Sequence, residues 1–284
     1  MLIIKDIKNL RVFLDEAEKT RKIIGFVPTM GALHNGHLEL IKRSKKNNDL
    51  TVVSIFVNEL QFNSKSDYED YPVNKGKDIE MCISENVDIL FEPHASEIYS
   101  NDYVQIKNNF FNNILCDPLR PGHFDGVLTV LNILFSIVVP AKTYFGLKDF
   151  QQYKVVKKFI NENYSNISIL GVPTKRDENN IPLSSRNLLL NKKQMNKFIF
   201  LYKIIGDLKK NFVQTDTVEF GNEFIIKKNF LKNETEINFE YFEFRNSENL
   251  KKEGLLEHAR LFLCFYIGKT RLIDNLSWKE LAVL

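Results

Sequence analysis

The chain is poor in the features that mark disulfide-rich, secreted and membrane-spanning proteins. It has 284 residues but only three cysteines, and Cys82, Cys116 and Cys264 form no close-spaced pair. Scattered thiols favour a reducing compartment, so we expect a cytoplasmic protein without disulfides. The longest apolar run, residues 127–139, is interrupted by an asparagine and a serine and is too short to span a bilayer. We therefore expect a buried helix there and no membrane partner.

Neither sign of charge dominates the chain. There are 39 Lys and Arg residues against 36 Asp and Glu, which gives a formal net charge of +3. Because dedicated nucleic-acid binders concentrate basic charge, this balance predicts no nucleic-acid partner. A hydrophobic content of 44% is ordinary for a globular chain of one large or two modest domains.

Apolar segments of strand length alternate with helical patterns up to about residue 175. Near-continuous apolar strands are typical of a parallel sheet that is covered on both faces. The alternation predicts a doubly wound α/β domain, in which ligands bind beyond the carboxyl ends of the strands. The predicted strands are 23–27, 50–57, 87–91, 143–145 and 167–172, and the predicted helices are 38–46, 75–85, 127–138 and 151–160.

The pattern changes after about residue 188. A long amphipathic helix is predicted over residues 192–212, and residues 236–241 alternate polar with apolar like a half-buried strand. The alternation slips at Phe242, which suggests a bulge, and residues 261–267 form a strongly apolar predicted strand. Together these patterns favour a smaller α+β domain.

Two histidines open a predicted helix directly after a strand and a Pro/Gly turn. His34 and His37 are three residues apart, so both imidazoles can lie on one helix face and point at one group. The turn leads into a helix N-terminus, where unpaired backbone N–H groups attract an anion such as a phosphate. Two other interpretations remain open at this stage, a zinc site that would need further ligands, or surface histidines without a role.

The motif extends into a resemblance that covers nearly the whole chain. Five blocks and a C-terminal ending, in family order, closely resemble those of the pantothenate synthetase (pantoate–β-alanine ligase) family, of the His-x-Gly-His nucleotidyltransferases. The blocks are residues 28–38, 53–62, 120–127, 145–152 and 182–187, and the ending is 271–275. One departure is Glu59, which occupies the position where the family usually has a proline.

The resemblance implies a fold, a reaction and an assembly. It implies a Rossmann-like, doubly wound parallel-sheet domain over residues 1–183 that binds ATP and pantoate. A smaller α+β domain over residues 184–284 would cover the active site. ATP, with Mg²⁺ held largely by its phosphates, would activate pantoate as a pantoyl adenylate. β-Alanine would then displace AMP to give pantothenate, and the enzyme would be a homodimer without a protein metal cage.

The resemblance also assigns roles to individual residues. His34, His37, Lys148 and Arg186 would be catalytic, and Gln61 and Gln152 would bind the substrates pantoate and β-alanine. The ATP-binding residues would be Met30, Gly31, Ala32, Leu33, His34, Asn35, Gly36, His37, Gly146, Leu147, Lys148, Asp149, Lys175, Leu183, Ser184, Ser185 and Arg186.

Several of these residues have a simpler interpretation. Lys148 can be an ordinary surface lysine, Asp149 can be a helix N-cap, and residues 184–187 can form a capped turn between domains. Arg120 and His123 either shape a flap or only accompany a Pro-Gly turn, and their chemistry stays open. Glu59 is expected to point out of the pantoate pocket.

Two other functions share parts of this pattern. A nucleotidyltransferase that adenylates a phosphate ester would use the same His-x-Gly-His turn, but it would not need Gln61 with Gln152. A non-catalytic nucleotide-binding or RNA-binding module would not need both histidines together with Lys148 and Arg186.

Overall fold

The computed structural model describes residues 1–99, 102–208, 237–252 and 256–282. It divides into two compact units, Met1–Thr174 and Lys175–Leu284. In the described part of the chain, no helix combines the length and the apolar character that a membrane span requires.

The first unit is built on a six-stranded parallel sheet with the order β1-β4-β3-β2-β5-β6. The strands are β1 (Leu2–Ile4), β2 (Ile24–Thr29), β3 (Leu50–Ile55), β4 (Ile89–Phe91), β5 (Lys142–Gly146) and β6 (Ser168–Val172). The helices are α1 (Ile7–Lys19), α2 (Asn35–Asn47), α3 (Lys65–Glu69), α4 (Lys75–Ser84), α5 (Ala95–Ile98), α6 (His123–Val138) and α7 (Phe150–Asn163).

Apolar strands explain why this sheet is covered on both faces. Phe26, Val27, Val52 and Val53 alternate in direction along β2 and β3, and all four are fully buried. Phe26 and Val52 belong to one apolar cluster, while Val27 and Val53 belong to another. The predicted doubly wound α/β domain is confirmed.

The order of the strands places a ligand crevice beside β2. From β2 the chain moves outward through β3 and β4 on one side, and later through β5 and β6 on the other. The strand order therefore reverses between β2 and β5, and doubly wound sheets bind ligands at such a switch point.

The first nineteen residues contain two elements that the sequence did not predict. Strand β1 is only three residues long and forms the sheet edge next to β4. Helix α1 begins after Asp6, whose side chain accepts a hydrogen bond from the Asn9 amide. It buries Leu10, Leu14 and Ala17, which are spaced four and three residues apart along one face.

The second unit combines one long helix with an antiparallel sheet. It contains α8 (Lys192–Leu208) and the strands β7 (Asn238–Asn246), β8 (Ala259–Ile267) and β9 (Thr270–Ser277), in the order β7-β8-β9. The smaller α+β domain is thus confirmed, although β9 was not predicted as a strand. Pairing of β7 with β8 shifts between Phe239 and Tyr241, close to the expected bulge. Residues 209–212 of the predicted helix and residue 236 of the predicted strand lie outside the described residues.

The division between the units falls after Thr174, whereas the sequence placed the domain boundary after residue 183. Arg176 makes a two-point ion pair with Asp274 of β9, with nitrogen–oxygen distances of 2.8 and 3.2 Å. The Leu183 amide donates to the Lys175 carbonyl at 2.9 Å. The Arg176 ion pair ties this segment to β9, and the Leu183–Lys175 hydrogen bond closes the segment on itself.

Candidate functional site

Three turns meet at the carboxyl edge of the first unit's sheet. They follow β2 (residues 30–34), β3 (the 3₁₀ turn Glu59–Gln61) and β5 (the 3₁₀ turn Leu147–Asp149). Strand β2 pairs with both β3 and β5, so the three turns are neighbours. This edge is where the strand order reverses, and it carries the predicted residues His34, Gln61 and Lys148.

The turn after β2, which we call the nucleotide turn (residues 30–34), has an unusual backbone. Gly31 and Ala32 both have positive φ, at +83° and +47°. Side chains other than glycine rarely occupy this region, so Ala32 must be held there by its surroundings. The carboxylate of Asp78 on α4 accepts hydrogen bonds from the amides of Ala32 at 2.9 Å and Leu33 at 2.7 Å. Sequence reasoning did not identify Asp78, because it lies in an ordinary amphipathic helix.

The two histidines cap the helix that follows. His34 is the N-cap of α2, and its Nδ1 accepts a hydrogen bond from the Gly36 amide at 3.1 Å. The His37 Nδ1 in turn accepts from the His34 amide at 3.3 Å, so the two rings form a reciprocal capping box. Their centroids are 4.1 Å apart. A Cβ on Gly36 would lie 2.8 Å from Cε1 of His34, so glycine leaves the room that this ring occupies.

Both imidazoles are neutral near pH 7. Burial lowers the pKa of His34 to about 4, and the positive charge of Lys148 adds to this effect. Burial also lowers the pKa of His37 to about 3, with contributions from His34 and Lys148. Because each Nδ1 accepts a backbone N–H, the ring proton must sit on Nε2. The pair therefore offers two neutral N–H donors.

Most backbone amides around the nucleotide turn already have acceptors within the protein, whereas the sequence predicted unpaired amides there. The predicted contacts of this turn with ATP stay predictions. The turn and the first turn of α2 use their amides internally, with Thr29, Asp78, the two histidine rings and the His34 carbonyl as acceptors. The amides engaged in this way are those of Gly31, Ala32, Leu33, His34, Gly36 and His37. Recognition of an anion here thus falls mainly to side chains.

Lys148 and Asp149 form the turn after β5. The Lys148 Nζ lies 3.8 Å from Oδ1 of Asp149, and the side chains are 18% and 45% exposed, respectively. Asp149 occupies the N-cap position of α7, but its side chain makes no capping hydrogen bond to that helix, which is described in full. The carboxylate is therefore not used as a helix cap. The positive charge of Lys148 contributes to the lowered pKa of both histidines.

A hydrogen-bond network fixes the amide of Gln61. Asn58, which is buried, donates from Nδ2 to Oε1 of Gln61 at 3.0 Å and to the Gly126 carbonyl at 3.0 Å. Its Oδ1 accepts from the Leu60 amide at 3.1 Å and from the hydroxyl of Tyr99. Burial raises the pKa of Tyr99, so the hydroxyl keeps its proton.

This network leaves the amide nitrogen of Gln61 as a donor, 3.0 Å from the sulfur of Met30. Sequence reasoning did not assign Asn58 a role, although an asparagine just after a buried strand at the ligand edge is a usable signal.

Arg120 and His123 both contact the backbone of the 3₁₀ turn Glu59–Gln61. Arg120 donates from Nη2 to the Gln61 carbonyl at 3.2 Å, and Nδ1 of His123 lies 2.8 Å from that oxygen. Glu59 is exposed at the first position of the 3₁₀ turn, and its expected direction out of the pantoate pocket stays a prediction. Proline is well tolerated at such a first position, so the departure from the family pattern does not require a different turn.

Gln151 and Gln152 differ in their surroundings. Gln151 is buried; it accepts from the Cys116 amide at 3.0 Å and donates to the Ile114 carbonyl at 2.9 Å. Gln152 is half-buried in the first turn of α7, beside the Lys148 turn. Of the two, Gln151 therefore supports the loop at 114–116, whereas Gln152 stays the predicted substrate residue.

The remaining predicted residues belong to the second unit. Ser184 caps the 3₁₀ turn Ser185–Leu189 and accepts from the Arg186 amide at 3.3 Å. Nη1 of Arg186 lies 3.5 Å from the Arg271 carbonyl. The predicted nucleotide contacts of this unit stay predictions, and they are those of Lys175, Leu183, Ser184, Ser185 and Arg186.

The zinc interpretation of the histidine pair requires at least a third ligand. In the described ranges, no group of three or more His, Cys, Asp or Glu side chains is arranged to hold a metal.

The matches to known proteins span nearly the whole chain. A family model described as "Pantoate-beta-alanine ligase" matches residues 2–277. A pantothenate synthetase from Carboxydothermus hydrogenoformans is 38% identical over 97% of this chain and 98% of its own length.

Solved structures give the same result. A pantoate-beta-alanine ligase from Francisella tularensis, complexed with "Beta-gamma ATP" and β-alanine, has a TM-score of 0.83 at 38% identity and 98% coverage of both chains. A pantothenate synthetase from Thermus thermophilus has a TM-score of 0.87 at 33% identity, over 98% of this chain and 99% of its own. The histidine pair, the Gln61 turn and the Lys148 turn thus lie in a chain that belongs to the pantoate–β-alanine ligase family.

Proposed function

We propose that this protein condenses pantoate with β-alanine at the expense of ATP, through a pantoyl-adenylate intermediate, to give pantothenate, AMP and pyrophosphate. The observation that carries the proposal is the convergence of the neutral His34–His37 pair, Lys148 and the oriented amide of Gln61 at one sheet edge. Family membership supplies the identity of the substrates.

The first step needs charge stabilisation more than proton transfer. A pantoate carboxylate oxygen bonds to the α-phosphorus of ATP, and the bond to pyrophosphate breaks. The carboxylate is already ionised near neutral pH, so no base has to act on it. The Nε2–H groups of His34 and His37 donate to the phosphates, and the ammonium of Lys148 offsets the charge that develops on the leaving pyrophosphate.

Gln61 and Gln152 hold the acid without adding charge. The Asn58 contact fixes Oε1 of Gln61 as an acceptor, so its NH₂ group donates toward pantoate oxygens. A neutral donor leaves the carboxylate free to attack. In the second step the amine of β-alanine bonds to the acyl carbon, AMP leaves with the bonding electrons, and the amine loses a proton.

Mg²⁺ accompanies ATP in this proposal. Asp149, whose carboxylate is half-exposed and does not cap α7, offers one oxygen, and the phosphates supply most of the other ligands. When bound, the ion neutralises phosphate charge.

The second unit and the assembly complete the proposal. Lys175, Leu183, Ser184, Ser185 and Arg186 contribute to ATP binding, with the guanidinium of Arg186 on the pyrophosphate. The enzyme acts as a cytoplasmic homodimer.

The test is product formation with all three substrates. Purified protein should form AMP and pantothenate in equal amounts from ATP, pantoate and β-alanine. Multiple turnovers should stop when β-alanine is omitted, because the adenylate then stays bound. A nucleotidyltransferase acting on a phosphate ester would turn over without β-alanine. If a folded, ATP-binding preparation made no pantothenate, the proposal would fail.

A further inference from the structure

We propose that Asp78 is a positioning residue: its carboxylate acts as an internal anion that holds the nucleotide turn and, through it, the two histidines. The proposal rests on the proposed function, because it concerns how the same site holds ATP. Asp78 lies on α4, outside the blocks that suggested the site.

The geometry around Asp78 resembles an anion-binding site filled by the protein itself. Asp78 is 1% exposed, and each carboxylate oxygen accepts one backbone amide, Oδ2 from Ala32 and Oδ1 from Leu33. Successive amides that converge on one anion form a concave nest, a common way to bind phosphate. Here the carboxylate of Asp78, and not a ligand, occupies the nest.

The carboxylate also stabilises a strained backbone. Ala32 has φ +47°, in the left-handed region that alanine disfavours. Gly31 precedes it with φ +83°, and a Cβ on Gly31 would lie 3.0 Å from Oδ2 of Asp78. Glycine at 31 therefore permits the close approach of Asp78, and the two hydrogen bonds to its charged group offset the strain at Ala32.

The turn controls where the histidines lie. Leu33 directly precedes His34, which is the N-cap of α2 and carries the reciprocal contact with His37. A change in the direction of the Ala32–Leu33 peptide therefore moves the start of α2 and both Nε2 atoms. Since transition-state stabilisation needs donors at fixed positions, such a shift weakens both ATP binding and turnover.

The same arrangement decides which groups meet the phosphates. A phosphate that entered the nest would meet the charge of Asp78 and would find the amides of Ala32 and Leu33 already engaged. Asp78 therefore directs the phosphates to the imidazole N–H donors and Lys148.

The main experiment compares Asp78→Asn with Asp88→Asn. Asp88 is a matched control because it also accepts a backbone amide, that of Thr51 at 2.7 Å, but at the amino end of the sheet. ATP affinity is measured by calorimetry without pantoate, and kcat and KM are measured for each substrate. For Asp78→Asn we expect ATP affinity and kcat to fall about 10- to 100-fold, the range for losing one hydrogen bond to a charged group. The KM for pantoate should stay within about threefold.

Two further measurements cover the case in which Asp78→Asn does not fold. Adding Ala32→Gly removes the strain and should recover folding and part of the ATP affinity. In the unaltered protein, the amides of Ala32 and Leu33 should be protected from hydrogen exchange without ATP and should gain no protection when ATP binds.

The outcomes separate this proposal from the proposed function. Strong new protection of the two amides on adding ATP would overturn it, as would equal losses of ATP affinity in Asp78→Asn and Asp88→Asn. Because ATP binding is measured without the acid, these results hold even if no pantothenate forms.

Discussion

At the residue scale, the histidine pair fixes its own protonation state. Each Nδ1 accepts a hydrogen bond from the backbone of the helix that the pair begins, so each Nε2 keeps the proton. The low pKa values of about 4 for His34 and about 3 for His37 keep both rings neutral in the working range. The histidine pair therefore supplies two directed N–H donors and no positive charge. The positive charge near the pair comes from Lys148.

Removing one of these donors should affect turnover more than binding. We expect His37→Ala and Lys148→Ala each to lower kcat about 10²–10³-fold, as is common when one preorganised contact is lost. Lys157→Ala, on the exposed side of α7, is the control and should leave kcat within about twofold. Steady-state kinetics decides the point, since a rise in KM for ATP with unchanged kcat would contradict a transition-state role.

The same pKa values predict acid destabilisation. In the folded state the histidines bind protons only near pH 4 and pH 3, whereas unfolded histidine does so near pH 6.5. The unfolded state thus binds more protons below pH 6.5, and stability falls as pH decreases from there toward about 4. The limiting slope is about 1.4 kcal/mol per pH unit for each histidine. Urea unfolding of the wild type and of His37→Gln measures this, and identical pH profiles would contradict it.

A change of charge at Gln61 should weaken the binding of pantoate more than the binding of ATP. Gln61→Glu is nearly isosteric, but it places a negative charge beside the pantoate carboxylate. We expect pantoate binding to weaken by about 1–3 kcal/mol, with ATP little changed. Titration with each ligand separately measures this, and equal losses for both would show that the turn had simply shifted.

Glu59 provides the complementary test on the same turn. Because its side chain is exposed at the first position of the 3₁₀ turn, Glu59→Pro should leave the KM for pantoate within about threefold. A much lower KM in this variant would mean that Glu59 repels the substrate.

At the element scale, the start of α6 and the 3₁₀ turn after β3 are packed backbone to backbone. A Cβ on Gly126 would lie 2.3 Å from the Leu60 carbonyl oxygen, which cannot move aside as a flexible side chain would. Asn58 strengthens the same contact through its bond to the Gly126 carbonyl. Gly126, in the block at residues 120–127, therefore helps to position Gln61, although the two residues are far apart in sequence.

Adding one methyl group to α6 tests this packing. Gly126→Ala should raise the KM for pantoate and destabilise the first unit by about 1–3 kcal/mol, as overpacking commonly does. Gly76→Ala is the matched control on α4, where an added Cβ meets nothing within 4 Å. It should be neutral or should stabilise by about 0.5–1 kcal/mol. Thermal unfolding and pantoate kinetics of both variants measure the difference, and similar behaviour would contradict the proposed contact.

Strands that are buried on both faces were predictable from the sequence, whereas the partly exposed β1 and the mixed β9 were not. The strands at 23–27 and 50–57 were found because a strand buried on both faces is almost continuously apolar. Strand β1 has two exposed residues out of three, whereas β4, equally short, is buried throughout and was predicted. Strand β9 mixes charged with apolar positions. The contact of Asp78 with Ala32 and that of Asn58 with the Gly126 carbonyl join elements that are distant in sequence, so no local pattern reveals these contacts.

At the scale of the whole molecule, the chain is two compact units with separate cores. The resemblance predicted the order of the units, but the boundary depends on pairing that periodicity does not show. Arg176 and Pro182 form an isolated antiparallel bridge, and the ion pair of Arg176 with Asp274 adds a long-range contact. Residues 175–183, which the sequence analysis assigned to the first domain, thereby belong to the second unit.

The three buried cysteines can report the local opening of the unit in which each one lies. Cys82 and Cys116 lie in the first unit and Cys264 in the second, and all three sulfurs are thiols rather than parts of disulfides. Burial, with the charges of Asp78 and Glu92, raises the pKa of Cys82 to about 12, so this thiol reacts only after its surroundings open. Residue-resolved alkylation rates under native conditions thus measure local opening free energies in both units. Comparing the alkylation rates of Cys116 and Cys264 with and without ligand shows whether ligand binding stabilises one unit or both. No cysteine has to be introduced for this measurement.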